Sequence, residues 1–230
     1  MSNSASPELT KRALTGLAQF HVALALLLFL PAWTLQFWQA WLYLGILAGM
    51  TFAITLYLIK KDRALLERRM SAGAGAEGDP AQKRIQLVNS LIVVALYAGA
   101  GLDRHFGWTP VPPWLSWAAE IAVVGGLAIV WRVFRENTYT AGTVQVAEGQ
   151  SVIDTGPYAV VRHPMYTGAI LMMLATPLAL GSYLALVFAV ALVAGIVARI
   201  FAEERFLVQG LAGYPEYRSR VRWRLLPGVW

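Results

Sequence analysis

Two stretches of the chain carry no Asp, Glu, Lys or Arg at all: the 47 residues from Ala13 to Ile59 and the 36 from His163 to Ala198. Each is long enough for two apolar helices of about 20 residues, the length that crosses a hydrocarbon layer. Two further apolar runs lie between them. The pattern predicts six spans, at about 13–31, 40–59, 85–102, 113–131, 166–181 and 183–199. The predicted class is all-α, a polytopic integral membrane protein with about six transmembrane helices. No internal repeat is visible.

Composition sharpens this. Of 230 residues, 57% are hydrophobic and 14% charged, against roughly 25% charged in a soluble domain. That much apolar surface excludes disorder and argues against a water-facing globule. With no cysteine, disulfides, thiol nucleophiles, thiolate metal sites and S-acylation are excluded. His21, His105 and His163 stand far apart with no HxxxH or HExxH pair, so no protein-bound metal is expected.

The net charge of +6 is a matter of topology. Alternate connecting segments hold eighteen of the Lys and Arg residues, and the opposite side holds one, Arg104. By the positive-inside rule both termini are expected in the cytoplasm, at the inner membrane if the source is bacterial. Nucleic acid is therefore not an expected partner. Trp33, Trp38, Trp41, Trp108, Trp114 and Trp117 fall at the predicted outer ends of spans, Trp131 and Trp223 near the inner ends, as amphipathic rings prefer. Lys11-Arg12 resembles the start of a signal peptide, but the apolar run after it is too long and lacks a small-x-small cleavage site. Gly73 to Gly78 satisfies GxGxxG literally. It follows a charged helical stretch and sits in an Ala/Gly-rich linker, without the βαβ context a dinucleotide site needs.

Two segments on the basic side are richer than a membrane anchor requires. The first, 136–166, is dense in hydrogen-bonding residues. It contains a Thr155-Gly156-Pro157 turn signal and Arg162-His163-Pro164 just before the fifth span. Pro164 suits the first turn of a helix, which would leave His163 and Tyr166 at the helix mouth, where donors and the dipole favour a carboxylate. The second is the chain end. Arg199, Glu203 and Glu204 close the predicted sixth span, with Arg199 and Glu203 on one face. Two acids at a helix C-terminus oppose the dipole, so another interaction is expected to hold them. For Arg218, Arg220, Arg222 and Arg224 the expectation is contact with anionic lipid head groups.

Gly156-Pro157-Tyr158, Arg162-His163-Pro164-Met165-Tyr166-Thr167-Gly168, Arg199 with Glu203-Glu204, and Tyr214 with Tyr217 together resemble the isoprenylcysteine carboxyl methyltransferase family. The likeness covers about 136–228; the four helices before it match in general character only. It implies two regions, 1–135 with spans one to four and 136–230 as the catalytic part, with a cofactor site on the cytoplasmic face. It implies S-adenosylmethionine as methyl donor. It implies cofactor contacts from Gln145, Gln150, Val152, Ile153, Tyr158, His163, Pro164, Met165, Tyr166 and Glu203. It also implies catalytic roles for Arg199, holding the acceptor carboxylate, and for His163. The implied acceptor is a lipid-like or prenylated small molecule or peptide, met among membrane lipids. Phospholipid N-methyltransferases, thiol S-methyltransferases and membrane sterol reductases share related C-terminal patterns. Met165 departs from the Asn of the reductase version.

The chemistry agrees with that likeness. A carboxylic acid ordinarily ionises at a pH of about 4, so at neutral pH its carboxylate attacks a sulfonium methyl without a base. A thiol or amine acceptor needs a proton removed, and His163 is the one plausible base among these residues. Each residue also has a plainer reading. Arg199 and Glu203 can form an ordinary i,i+4 pair, and Tyr214 and Tyr217 can anchor the tail at the interface. Glu120, an acid inside the fourth span, is expected to snorkel or to bond a neighbouring helix rather than to catalyse. His21 and Asn89 read as interhelical hydrogen-bonders. A non-catalytic membrane scaffold remains the third class of function.

Overall fold

The computed structural model describes residues 5–70, 80–140 and 149–230. Gln145 and the GxGxxG match lie outside them. Among the described residues the chain folds into eight α-helices: α1 (Ala5–Ala32), α2 (Trp38–Lys61), α3 (Arg63–Met70), α4 (Pro80–Phe106), α5 (Pro113–Glu136), α6 (Pro164–Ala179), α7 (Leu186–Gly210) and α8 (Tyr214–Arg220). One 3₁₀ turn, Gly156–Ala159, precedes α6. No strand occurs among these residues.

Helices α1, α2, α4, α5 and α7 are long and apolar enough to cross a membrane. This is the architecture of a polytopic membrane protein. Ile121 on α5 is 74% exposed, which suits a hydrocarbon surround rather than water. The last two predicted spans map onto α6 and α7. The fifth is α6, a shorter apolar helix of 16 residues, or about 24 Å at 1.5 Å per residue, that runs between the same two ends of the bundle as the long helices. The sixth starts at Leu186 and runs on to Gly210. Glu203 and Glu204 therefore lie inside α7, and the dipole penalty expected at a helix end does not arise.

α5 and α6 make the most extensive pairing. A Cβ at Gly126 would sit 2.6 Å from the Gly168 carbonyl, and one at Gly168 would sit 2.7 Å from the Gly126 carbonyl. Small residues let the two backbones meet, as in membrane helix pairs generally. Around this seam one apolar core runs through Leu28, Tyr43, Leu96, Val123, Ala179 and Leu192. Polar groups in it are mostly paired: Tyr43 Oη lies 2.7 Å from Tyr97 Oη and 3.2 Å from Thr176 Oγ1. His21 Nε2 meets Thr51 Oγ1 at 3.3 Å between α1 and α2. Glu120 neither snorkels nor bonds a neighbour. It is 3% exposed, and neither carboxyl oxygen has a hydrogen-bond partner. The reason is rotational: Ser116, Ala119, Glu120 and Val123 share the α5 face that packs inward.

The bundle has two unlike ends. At one, the 33–37, 107–112 and 180–185 connections meet. At the other, α3, residues 137–140 and 149–163 and the chain end after α7 converge, and there the cavity lies.

A candidate active site at the open end of the bundle

Local sequence sets the cavity walls. Gly156 has φ +54°, and a Cβ there would fall 2.6 Å from Glu136 Oε2. Only glycine lets the turn close on α5, where Thr155 Oγ1 donates to Glu136. The turn carries Tyr158, whose hydroxyl accepts from Asn137 Nδ2 at 3.0 Å. His163 then stands as N-cap and Pro164 as the first residue of α6, as the sequence predicts. The two residues before α6 are pinned by the chain end: Arg162 N–H donates to the Trp223 carbonyl and His163 N–H to the Arg224 carbonyl, both at 2.9 Å.

Neighbouring acids on α7 do different things. Glu204 is buried among cations. Its Oε1 accepts from Arg162 Nε and Nη2, each at 2.8 Å, and lies 3.3 Å from His163 Nε2. Its Oε2 accepts from Arg224 Nε at 3.1 Å. Arg162 Nη1 reaches on to the carbonyls of Val221 and Arg222, both at 2.8 Å. Arg224 thus departs from its expected lipid contact: it is consumed by Glu204 and stacks 5.2 Å from the Phe201 ring centre and 5.1 Å from that of Trp230. Arg220, which stays exposed, pairs with Asp154 at 2.7 Å.

Glu203 faces the cavity. Tyr166 Oη donates to its Oε2 at 2.6 Å and accepts from Arg199 Nε at 3.1 Å. The phenol bridges the acid and the guanidinium, which the i,i+4 spacing alone would have paired directly. The cavity is open at its mouth, and the space in it including that mouth is about 880 Å³. Gln150, Val152, Ile153 and Tyr158 line one side of it. His163, Pro164, Met165 and Tyr166 line the next, with Arg199 and Glu203 beyond. Every predicted site residue that is described reaches this one cavity.

Several lining residues were not singled out from sequence. Asn137, Tyr139 and Thr140 follow the end of α5; the density of hydrogen-bonding residues there was their only signal. Tyr214 and Tyr217 reach the cavity too. Tyr217 Oη donates to the Tyr158 carbonyl at 2.8 Å, whereas Tyr214 Oη is buried with no partner. Burial pushes the Tyr214 phenol up, and the Glu204 and Glu203 carboxylates push the same way; it stays protonated and able to donate. Helix α3 closes the flank: Arg68 Nη1 donates to the Thr138 carbonyl at 2.6 Å, and Arg69 Nη1 lies 3.9 Å from Met165 Sδ. Burial lowers the Arg69 guanidinium from its usual value, with the Arg199 charge pushing the same way. The sequence marks a charged helical stretch where α3 falls, before the Ala/Gly-rich linker, but gives no sign of its place at the cavity.

Residues 114–212 match the phospholipid methyltransferase family model. The match begins in α5, takes in the 3₁₀ turn, α6 and α7, and ends just before α8. It contains the Tyr166, Arg199 and Glu203 cluster and leaves out α1 to α4, α8 and the chain end. No curated protein matches the chain.

Proposed function

We propose that this protein is a membrane methyltransferase that takes its methyl group from S-adenosylmethionine and passes it to the carboxylate of an amphiphile. The acceptor is prenylcysteine-like or another lipid-tailed acid, and the site opens on the cytoplasmic face with both termini on that side. The observation that carries this reading is the Tyr166, Arg199 and Glu203 cluster, which lines the cavity and falls within the family-matched segment.

The residues suit the cofactor. Tyr158, Val152, Ile153 and Met165 offer an aromatic and apolar wall of the kind a purine needs. Glu203 offers a carboxylate for hydroxyl or ammonium groups, and Tyr214 a buried donor in need of an acceptor. When bound, S-adenosylmethionine supplies an electrophilic sulfonium methyl. The chain's own part is to align donor and acceptor and keep water out, the main lever in such a displacement. Arg199 holds the acceptor carboxylate by its planar fork. Gln145 and Gln150 are assigned to the cofactor loop. His163 Nε2 is turned to Glu204, so Nδ1 is the ring nitrogen proposed to meet the cofactor.

A carboxylate acceptor needs no base, which fits a site whose one histidine is already engaged. A second reading, N-methylation of a phospholipid amine, is favoured by the description of the matching family. Mild base separates the two, since a methyl ester is hydrolysed and an N-methyl group survives. The decisive experiment is calorimetric titration of S-adenosylmethionine into the protein in nanodiscs. Saturable binding, weakened about tenfold or more by Glu203→Gln through loss of a charged hydrogen bond, is expected. Absence of binding, or equal affinity in the variant, refutes the assignment.

A further inference from the structure

Arg199 is held from outside the family-matched segment. Its Nη1 donates to Gln82 Oε1 at 3.4 Å and to Gln86 Oε1 at 3.3 Å. Both amides stand one turn apart on the same face of α4, and Gln82 is buried. Burying a glutamine in an apolar bundle is costly unless its amide is used. Further along the same seam Asn89 lies against Gly195, one turn from Arg199 on α7. A Cβ at Gly195 would collide with Asn89 Oδ1, so the glycine makes the room this amide occupies. The α4–α7 seam is thus polar from the cavity down to Asn89.

Tyr166 fixes the Nε side of Arg199, and the two glutamines fix the Nη1 side. An amide oxygen orients a guanidinium without adding negative charge; a carboxylate in its place would offset the cation. We propose that Gln82 and Gln86 are positioning residues for Arg199, setting it as a receptor for amphiphiles whose head group is an oxyanion. The oxyanion is either a carboxylate or a phosphate ester. This deepens the methyltransferase reading and rests on it for the identity of the reaction. The physical gain is preorganisation: a guanidinium already held in orientation loses little freedom when the head group arrives.

The test uses the full chain in phosphatidylcholine nanodiscs, with empty nanodiscs as the blank. Octanoate, octyl phosphate and octanol are the probes, and S-adenosylmethionine is titrated in parallel. The variants are Gln86→Glu, which keeps the shape and adds charge, and the double variant Gln82→Leu/Gln86→Leu. Wild type is expected to prefer the anionic probes over octanol. Each variant is expected to lose about tenfold in affinity for them, the scale of hydrogen bonds to a charged group. Octanol and S-adenosylmethionine binding should be unchanged. The stronger of octanoate and octyl phosphate tells which oxyanion is preferred. Equal weakening for anionic and neutral probes, unchanged anionic binding, or no anionic preference in wild type overturns the proposal. Anionic selection without S-adenosylmethionine binding keeps the receptor and refutes the methyltransferase reading. The reverse pattern refutes the receptor alone.

Discussion

Both ends of the bundle bury a carboxylate on a long helix, and the two are used differently. At the far end Asp103 on α4 accepts from the Thr109 amide at 2.8 Å and from the hydroxyls of Thr109 and Ser182. Those hydroxyls accept in turn from the amides of Leu184, at 2.8 Å, and Ala185, at 3.1 Å. Loop backbone and loop hydroxyls close around one acid, just before the start of α7. At the cavity end Glu204 plays the matching part, tying the Arg162 and Arg224 guanidinium groups and the His163 ring together. One residue earlier, Glu203 is turned to the cavity and to Tyr166. A carboxylate that holds the fold is surrounded by fixed partners; one that faces a cavity sits beside groups a ligand can reach.

Breaking each knot in turn sharpens that contrast. Glu204→Ala should have the largest effect. It leaves Arg162, and part of Arg224, without their buried counter-charge, a loss of about 3–5 kcal/mol. Thermal unfolding in detergent should fall sharply, with the chain end after α7 becoming sensitive to protease. A variant as stable as wild type removes Glu204 from the role of anchor. Asp103→Asn should cost less, about 1–3 kcal/mol, because neutral hydroxyls and an amide can partly re-pair. Its S-adenosylmethionine affinity should equal that of wild type; a large change there would mean the far end is coupled to the cavity. Tyr217→Phe should be the mildest, about 1 kcal/mol for one hydrogen bond to the Tyr158 carbonyl. It is readable as a small drop in unfolding midpoint, and no drop at all would mean that bond is not made.

The helices were legible because span length and charge-free runs are properties of the chain itself. Even the start of α6 at Pro164 was readable, since proline and the residues around it carry local instructions. The site was legible in part. His163, Tyr166, Arg199 and Glu203 lie in motifs, and their convergence needed only that α6 and α7 be neighbours at the same end. What the pairing is made of was not readable. Spacing put Arg199 beside Glu203, but Tyr166 stands between them, and Glu204 rather than Glu203 gathers the cations. Gln82, Gln86 and Arg69 carried no signal, because they belong to helices distant in sequence whose rotation about their own axes decides what they touch. Glu120 failed for the same reason: its depth was readable, and the face it shares with the core was not.

The sequence alone determined that this chain builds long apolar helices with a polar segment between the fourth and fifth, since burial and helix length depend on local composition. Which acid anchors and which faces the cavity, and which amides hold Arg199, was decided by packing. Those choices turn on a rotation of about 100° per residue around each helix axis, fixed only where contacts such as Gly126 on Gly168 lock one backbone against another.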